Sequence, residues 1–290
     1  MSLVRTAISS SVAALAVLLA SERLPAQDMA LRADSVEVNG TWIHYGVAGH
    51  GPPLLLLHGF TGAGTWWEPY LDRLAEHYTT IVPDLPGHGR SGAGPDPYRF
   101  DHVAADMHAF MDAVGVGRFR AVGYSGGGIV LLHMAAQAPR RIESMAVMSA
   151  SHAPAKAAIV AFPSFEDQSA QVKEYWLKVH PGGEPQVSEL IGAFRGLGEF
   201  VDEVTITPRQ LSTIESRTLV VIGDRDPLVP VHDALEMYEA IPVAALWVIP
   251  TNGHPAMWPD WGGSVEAASI LPDVLTHFLG SEPLEAPPKR

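Results

Sequence analysis

The sequence contains no cysteine among its 290 residues. A disulfide framework and a thiolate metal site are therefore both excluded. Histidine is plentiful, with 13 residues, but the sequence has no His-Glu-x-x-His motif and no clustered histidine spacing. We therefore expect no metal site.

Positive charge is also scarce, because 19 lysines and arginines face 32 aspartates and glutamates and leave a formal net charge of −13. A protein that binds nucleic acid neutralises phosphates with lysine and arginine, so we expect no nucleic-acid partner. Hydrophobic residues make up 47% of the chain and charged ones 18%, which is typical of a globular protein.

Long hydrophobic runs are few, and the one near the N-terminus extends only from Val12 to Ala20. This run is too short to cross a membrane comfortably, so we expect no stable membrane span. Arg5 precedes it and polar residues follow it, which is the pattern of a secretory signal peptide. We predict a signal peptide over residues 1–26 and a secreted or periplasmic protein. An uncleaved anchor or a simple N-terminal helix is the alternative, and the cleavage site stays open.

Strand and helix patterns alternate along the rest of the chain. Asn39-Gly40 separates two alternating stretches and predicts a hairpin, so antiparallel strands open the sheet. Leu54 to Leu57 form a continuous apolar run, typical of a strand buried on both faces of a parallel sheet. Helical spacing predicts one helix from Trp66 to Tyr78 and another from an N-cap at Asp101 to Val114. The fold class predicted is α/β, with a mostly parallel central sheet of about eight strands flanked by helices.

Residues 154–211 interrupt this alternation. The segment is rich in aromatic residues and contains two helical patches separated by Pro181-Gly182-Gly183. We predict a helical lid insertion that divides the core into a first part, residues 27–153, and a second part, residues 212–290. The aromatic side chains of the lid could face a substrate or form the lid's own small core, and for any single one we favour the core.

A Gly-x-Ser-x-Gly sequence at residues 123–127 lies between an apolar strand pattern and a buried helix pattern. Strand, sharp turn and helix is the context of a nucleophilic serine, here Ser125. Gly123 and Gly127 would let neighbouring backbone pass close to the strained turn. A glycine-rich turn without chemistry, or a phosphate loop, is the alternative. However, the glycines do not match Gly-x-Gly-x-x-Gly, and no Gly-Lys-Ser/Thr follows.

Two further polar residues follow predicted strands, Asp226 after the strand ending at Gly223 and His254 after the strand ending at Ile249. Because parallel strands end at one edge of a sheet, we expect these residues to lie near Ser125. A serine hydroxyl needs a base to accept its proton, and the base needs a partner that orients it. Asp224 is the alternative acid, although a turn-capping role suits it better.

Five stretches together resemble the motifs of proteins with the α/β-hydrolase fold. They are His58-Gly59-Phe60, Asp84 to Ser91, Gly123 to Gly127, Gly223 to Pro230 and Gly253-His254. The resemblance covers nearly all of the chain after its N-terminal leader. It implies a catalytic triad of Ser125, His254 and Asp226, and an oxyanion hole formed by the amides of Phe60 and Gly126. It also implies an acyl-enzyme that water hydrolyses, without a cofactor.

A serine nucleophile separates this chain from haloalkane dehalogenases and epoxide hydrolases, which resemble it in fold but use an aspartate. The resemblance implies hydrolysis of a carboxylic ester of a small to medium substrate. A C–C bond hydrolase or an aminopeptidase of the same fold is the alternative, as is a non-catalytic binding protein on this scaffold. Tyr124 and Trp258 are candidate substrate contacts, although Trp258 could instead pack under the site. Carboxylates that could hold a peptidase's substrate amine are Glu166, Asp167, Glu174, Glu184 and Glu189. The oligomeric state stays open.

Overall fold

A computed structural model describes residues 31–93 and 98–280 and contains one eight-stranded sheet of order β1-β2-β4-β3-β5-β6-β7-β8. The strands are β1 (Arg32–Val38), β2 (Thr41–Ala48), β3 (Pro53–Leu57), β4 (Thr79–Pro83), β5 (Phe119–Tyr124), β6 (Ile142–Met148), β7 (Arg217–Gly223) and β8 (Ala244–Ile249). The predicted signal peptide lies outside the described residues.

Ten α-helices are present in the described part of the chain. They are α1 (Glu68–Ala75), α2 (Phe100–Ala113), α3 (Gly126–Gln137), α4 (Lys156–Val160), α5 (Ala170–Val179), α6 (Gly183–Gly196), α7 (Val201–Val204), α8 (Pro208–Leu211), α9 (Val231–Ala240) and α10 (Val265–Gly280). Short 3₁₀ turns cover Gly64–Trp67, Leu197–Glu199 and Pro259–Trp261.

The predicted mostly parallel sheet is confirmed. β1 and β2 are antiparallel to each other, and β2 is antiparallel to β4. β3 to β8 all run parallel. The first two strands meet in a tight hairpin, in which Asn39 has φ 50° and Gly40 has φ 83°. Two positive φ values are what a type I′ turn requires, and Asn-Gly accepts them readily.

The apolar run in β3 fits a strand that is covered on both faces. Leu55 and Leu57 belong to the core on the side of α2 and α3. Leu54 and Leu56 belong to the core on the side of α1 and α10. All four side chains are fully buried, because helices cover both faces of the parallel part of the sheet.

The predicted starts of two helices need correction. Residues 64–67 form a 3₁₀ turn, and α1 begins only at Glu68 with Pro69 in its first turn. Proline suits that place because it has no N–H to donate to an earlier turn. α2 begins at Phe100 with Arg99 as its N-cap. Asp101 therefore does not cap the helix; its carboxylate accepts hydrogen bonds from the guanidinium of Arg99.

Five helices, α4 to α8, occupy the connection between β6 and β7, where the sequence predicts a helical lid. A small hydrophobic cluster of Phe165, Trp176, Val187 and Ile191 holds α5 and α6 together. The helical nature of this segment agrees with its sequence pattern. Its action as a lid, and its limits at residues 154 and 211, stay predictions.

Three fully buried histidines lie close together beside the sheet edge that carries Ser125. The imidazoles of His58 and His88 lie 5.2 Å apart, and those of His88 and His180 lie 6.2 Å apart. Burial lowers the pKa of His58 to about 4 and also lowers the pKa of His88 and of His180. All three rings are therefore neutral at neutral pH, because the charged form would lose its hydration.

These buried histidines predict that stability falls in mild acid. Their folded-state pKa lies below the unfolded value, so the unfolded chain binds more protons and stability is lost as the pH falls from about 6.5 towards 4. For His58 alone the loss between pH 7 and pH 5 is on the order of 1–2 kcal/mol. Urea unfolding at pH 7 and at pH 5 measures this loss in the free energy of unfolding. His88→Asn should reduce the difference, whereas the same change at exposed His50 should not. Equal midpoints at both pH values would contradict the prediction.

Candidate active site

The central strand β5 ends at Tyr124, and Ser125 makes the sharp turn into α3 with φ 51° and ψ −121°. A Cβ atom on Gly123 would lie 2.5 Å from the Gly127 carbonyl oxygen, and one on Gly127 would lie 2.4 Å from the His58 carbonyl oxygen. Both separations are too short for any other residue. The glycines thus provide the clearance that the sequence pattern predicts, and the serine is held in a strained conformation above the strand.

The structure brings Ser125, His254 and Asp226 together in one line of hydrogen bonds. The Ser125 hydroxyl donates to Nε2 of His254 over 2.9 Å. On the other side of the ring, Nδ1–H donates to Oδ2 of Asp226 over 2.8 Å. This second bond determines the tautomer, so that Nε2 is the nitrogen with a free lone pair facing the serine.

Asp226 is held as an acceptor by the loop that follows β7. Its side chain has no solvent exposure, and Oδ1 accepts the amides of Leu228 and Val229 over 2.8 and 3.0 Å. Asp224, the alternative acid, instead accepts the amide of Asn252 over 3.2 Å. Asp224 therefore links the two loops, while Asp226 contacts the imidazole.

The loop after β3 presents the amide of Phe60 next to the first turn of α3. That amide nitrogen lies 3.0 Å from the position that a Cβ on Gly126 would occupy. Phe60 and Gly126 both line the cavity that contains Ser125, and neither amide donates to an acceptor among the residues that the structure describes. Two unpartnered N–H groups at a helix N-terminus favour a developing negative charge.

The side chain of His58 supports this loop and does not reach the serine. Its Nδ1–H donates to the Gly59 carbonyl over 2.8 Å, and its Nε2 accepts the Leu85 amide over 2.9 Å. Asp84 holds the adjoining loop in the same way, by accepting the amides of Gly64 and Arg90. Both side chains are therefore structural.

A cavity of about 320 Å³ opens above Ser125 and His254. Aromatic side chains from the core and from the helical segment form two walls. One wall contains Trp66, Tyr124, Tyr175 and Trp261, and the other contains Phe60, Phe162 and Phe194. Every other lining side chain that the structure describes is also apolar or neutral, apart from the titratable His254. A substrate that enters this cavity therefore meets no fixed charge from its walls.

The two aromatic residues predicted to contact substrate have different positions. Tyr124 lines the cavity, and its burial, followed by the nearby charge of Asp226, raises the pKa of its hydroxyl so that the ring stays neutral. Trp258 is not among the described lining residues. It packs 4.4 Å from the Tyr124 ring and donates its indole N–H to the Trp66 carbonyl. The packing alternative for Trp258 is therefore the one that the structure supports.

The cavity residues that the sequence does not predict include Trp66, Leu228 and Trp261. Trp66 was assigned to a helix, in which it lay off the apolar face formed by Trp67, Tyr70 and Leu74. An aromatic side chain outside the apolar face is the sequence signal that could have indicated a cavity position for Trp66. Trp261 carried no comparable signal, because its position depends on the 3₁₀ turn after His254.

No group of three or more potential metal ligands occurs among the described residues. Within residues 31–93 and 98–280, no helix is long and apolar enough to span a bilayer.

Comparison with known proteins supplies independent information about the family. Residues 52–180 match the family model described as alpha/beta hydrolase fold. The chain has the α/β-hydrolase fold. The putative carbamate hydrolase RutD of Azorhizobium caulinodans is 26% identical over 82% of this chain and 93% of its own length. A pimeloyl-[acyl-carrier protein] methyl ester esterase from Chromobacterium violaceum is 29% identical over 71% of this chain and 88% of its own length.

Solved structures agree with this fold. The 2-hydroxy-6-oxo-6-phenylhexa-2,4-dienoate hydrolase from Rhodococcus sp. strain RHA1 superposes with a TM-score of 0.69. The match covers 86% of this chain and 99% of that one, at 23% sequence identity. At this identity the likeness concerns the fold alone.

The geometry predicts that Asp226 and Asp224 differ sharply in their effect on Ser125. Asp226→Asn should slow labelling of the serine by an aryl fluorophosphonate about 10³–10⁴-fold, because an amide favours the wrong imidazole tautomer. Asp224→Asn, two residues away on the same loop, should change the rate only a few-fold. Labelling rates measured by intact-protein mass spectrometry compare the two variants. Equal slowing in both would contradict the assignment of Asp226.

Proposed function

We propose that this hydrolase cleaves a carboxylic ester, or a related acyl bond, of a small to medium substrate through an acyl-enzyme on Ser125. The observation that carries the proposal is the unbroken hydrogen-bonded line from Asp226 through His254 to Ser125. This line ends beneath the cavity, and the two unpartnered amides lie beside it.

In the proposed reaction, Ser125 Oγ attacks the carbonyl carbon while Nε2 of His254 accepts the hydroxyl proton. Asp226 stabilises the resulting imidazolium through its bond to Nδ1 and is itself held by two amides. The imidazolium then protonates the leaving alcohol. A water molecule subsequently attacks the acyl carbon with His254 as the base, which releases the acid and restores the serine.

The amides of Phe60 and Gly126 would hold the oxygen that becomes negative during both attacks. Loss of one donor of this kind costs about 2.7–4 kcal/mol of transition-state stabilisation in comparable sites. These donors belong to the backbone, so their positions depend on the packing of His58 and on the start of α3 rather than on side-chain rotamers.

The cavity supports a neutral acyl group of modest size. Its volume of about 320 Å³ is at the small end of the range for ligand sites. Its neutral walls favour an uncharged substrate, because a buried charge without a partner loses several kcal/mol of hydration. The names of two relatives, a methyl ester esterase and a carbamate hydrolase, also support acyl chemistry at this site.

The two other enzyme classes receive less support from the same walls. The Rhodococcus hydrolase is named for a dienoate, which carries a carboxylate, and the described cavity lining contains no lysine or arginine to pair with one. An aminopeptidase needs an acidic group near the substrate amine. The described lining contains none of the five candidate carboxylates, namely Glu166, Asp167, Glu174, Glu184 and Glu189. A non-catalytic role receives less support, because all three residues of the triad are present and hydrogen-bonded.

We further propose that the protein is exported and that residues 154–211 act as a lid. The export proposal rests on the N-terminal sequence, in which Arg5 precedes the apolar run from Val12 to Ala20 and polar residues follow it. The lid proposal rests on Ile159, Phe162 and Tyr175, three residues of the helical segment that line the cavity.

Matched p-nitrophenyl esters test the proposed activity and the neutral cavity together. The butyrate should be hydrolysed with a kcat/KM at least about a hundredfold above that of the mono-ester of succinate, which adds a terminal carboxylate to a similar chain. Ser125→Ala should abolish both activities. In an acetate-to-decanoate series, the rate should fall once the chain exceeds the cavity.

Two results would count against the proposal. If folded wild type failed to cleave any ester of the series but cleaved an aminoacyl p-nitroanilide or a dienoate, the corresponding alternative class would replace it. If Ser125→Ala retained the wild-type rate, the triad assignment would be wrong.

A further inference from the structure

Two exposed apolar segments border the opening of the cavity. The first is Pro154–Pro163, which contains α4 and has Lys156 as its only charged residue. The second is Pro227–Pro230, which has no charged residue. We refer to these two segments together as the mouth patch. Val160 is 52% exposed and Leu228 is 51% exposed.

The mouth patch is continuous with the cavity walls. Ala155, Ala158 and Leu228 line the cavity and are also exposed at the surface. The apolar surface therefore runs from the outside of the protein down to Ser125. Contiguous exposed apolar surface of this kind marks a place where another apolar surface binds, whereas scattered apolar side chains do not.

We propose that the mouth patch docks the protein onto the surface of an aggregated neutral ester, such as an oil droplet, from which substrate enters the cavity. This inference rests on the proposed ester hydrolysis and adds to it the physical state of the substrate. An ester molecule that passed directly from the droplet along the patch would stay out of water on its way to Ser125, and burial of the patch's apolar area would stabilise the docked protein.

Charge restricts the kind of surface that can bind. The chain carries a formal net charge of −13, and the mouth patch contributes a single lysine to offset it. An anionic surface would therefore be repelled, while an uncharged one would not. The neutral walls of the cavity select the same chemistry for the molecule that enters.

Glycerol tributyrate provides the test, because it is dissolved at low concentration and forms droplets at high concentration. For wild type, we expect the rate to rise at least several-fold above its extrapolated plateau once droplets form. The double variant Ala157→Glu/Val160→Glu adds two charges to the mouth patch at positions that do not line the cavity. Its rate of hydrolysis on droplets should be at least about fivefold below that of wild type. Its kcat/KM on dissolved p-nitrophenyl butyrate should stay within about twofold of the wild-type value.

A matched control has the same charge change away from the mouth. Val265→Glu/Ile270→Glu places two carboxylates at exposed apolar positions of α10, where exposures are 65% and 48%. This control should behave as wild type on droplets. An equal loss in both double variants would show that net charge, and not the mouth patch, governs the effect, and would overturn the inference.

Adsorption of Ser125→Ala to tributyrate droplets, measured by flotation, separates docking from catalysis. We expect Ser125→Ala to float with the droplets. The same variant with Ala157→Glu/Val160→Glu added should stay in the aqueous phase. If wild type cleaved dissolved ester but neither floated nor gained rate on droplets, the docking inference would fail and the proposed function would stand. If the protein floated but cleaved no ester, the proposed function would fail alone. Light scattering that showed a dimer dissociated by the mouth-patch charges would assign the patch to a second copy of the chain.

Discussion

The architecture of the site depends on one close approach between backbones. β3, β5 and the start of α3 meet where the carbonyl oxygen of His58 would lie 2.4 Å from a Cβ on Gly127. Because the chains approach this closely, Ser125 turns away from the end of β5, and Phe60 and Gly126 line the same cavity as the serine. The serine's strained φ of 51° persists because the closely packed backbone around the turn holds it there.

Most of the described side chains around this contact carry no charge. The cavity walls are neutral, and the buried histidines behind Phe60 lose their charge because burial lowers their pKa. The fully buried side chain of Asp226 contacts the imidazole of His254, and two backbone amides donate to its other carboxylate oxygen. In such surroundings a transient negative charge interacts strongly with the few dipoles aimed at it.

Much of the fold and the approximate location of the site could be predicted from local patterns. Short-range signals were enough for the Asn39-Gly40 hairpin, for the buried leucines of β3, and for the loops of Asp226 and His254. Because parallel strands end at one edge of the sheet, the two loops had to lie near Ser125. The substrate walls could not be predicted in this way. Trp66 and Trp261 reach the cavity from short 3₁₀ turns whose direction depends on tertiary packing. Asp101 has the residue type of a helix cap, but the guanidinium of Arg99 binds its carboxylate instead.

The order of the site residues along the chain has a consequence for biosynthesis. Ser125 directly follows β5, whereas His254 follows β8, 129 residues later, with the helical segment made in between. A growing chain can thus complete the strand that carries the serine long before its base exists. The nucleophile stays unactivated until the last strand has joined the edge of the sheet. Any hydrolytic activity that depends on this hydrogen-bonded line would therefore arise only in the finished molecule, and truncated or partly folded chains would lack it.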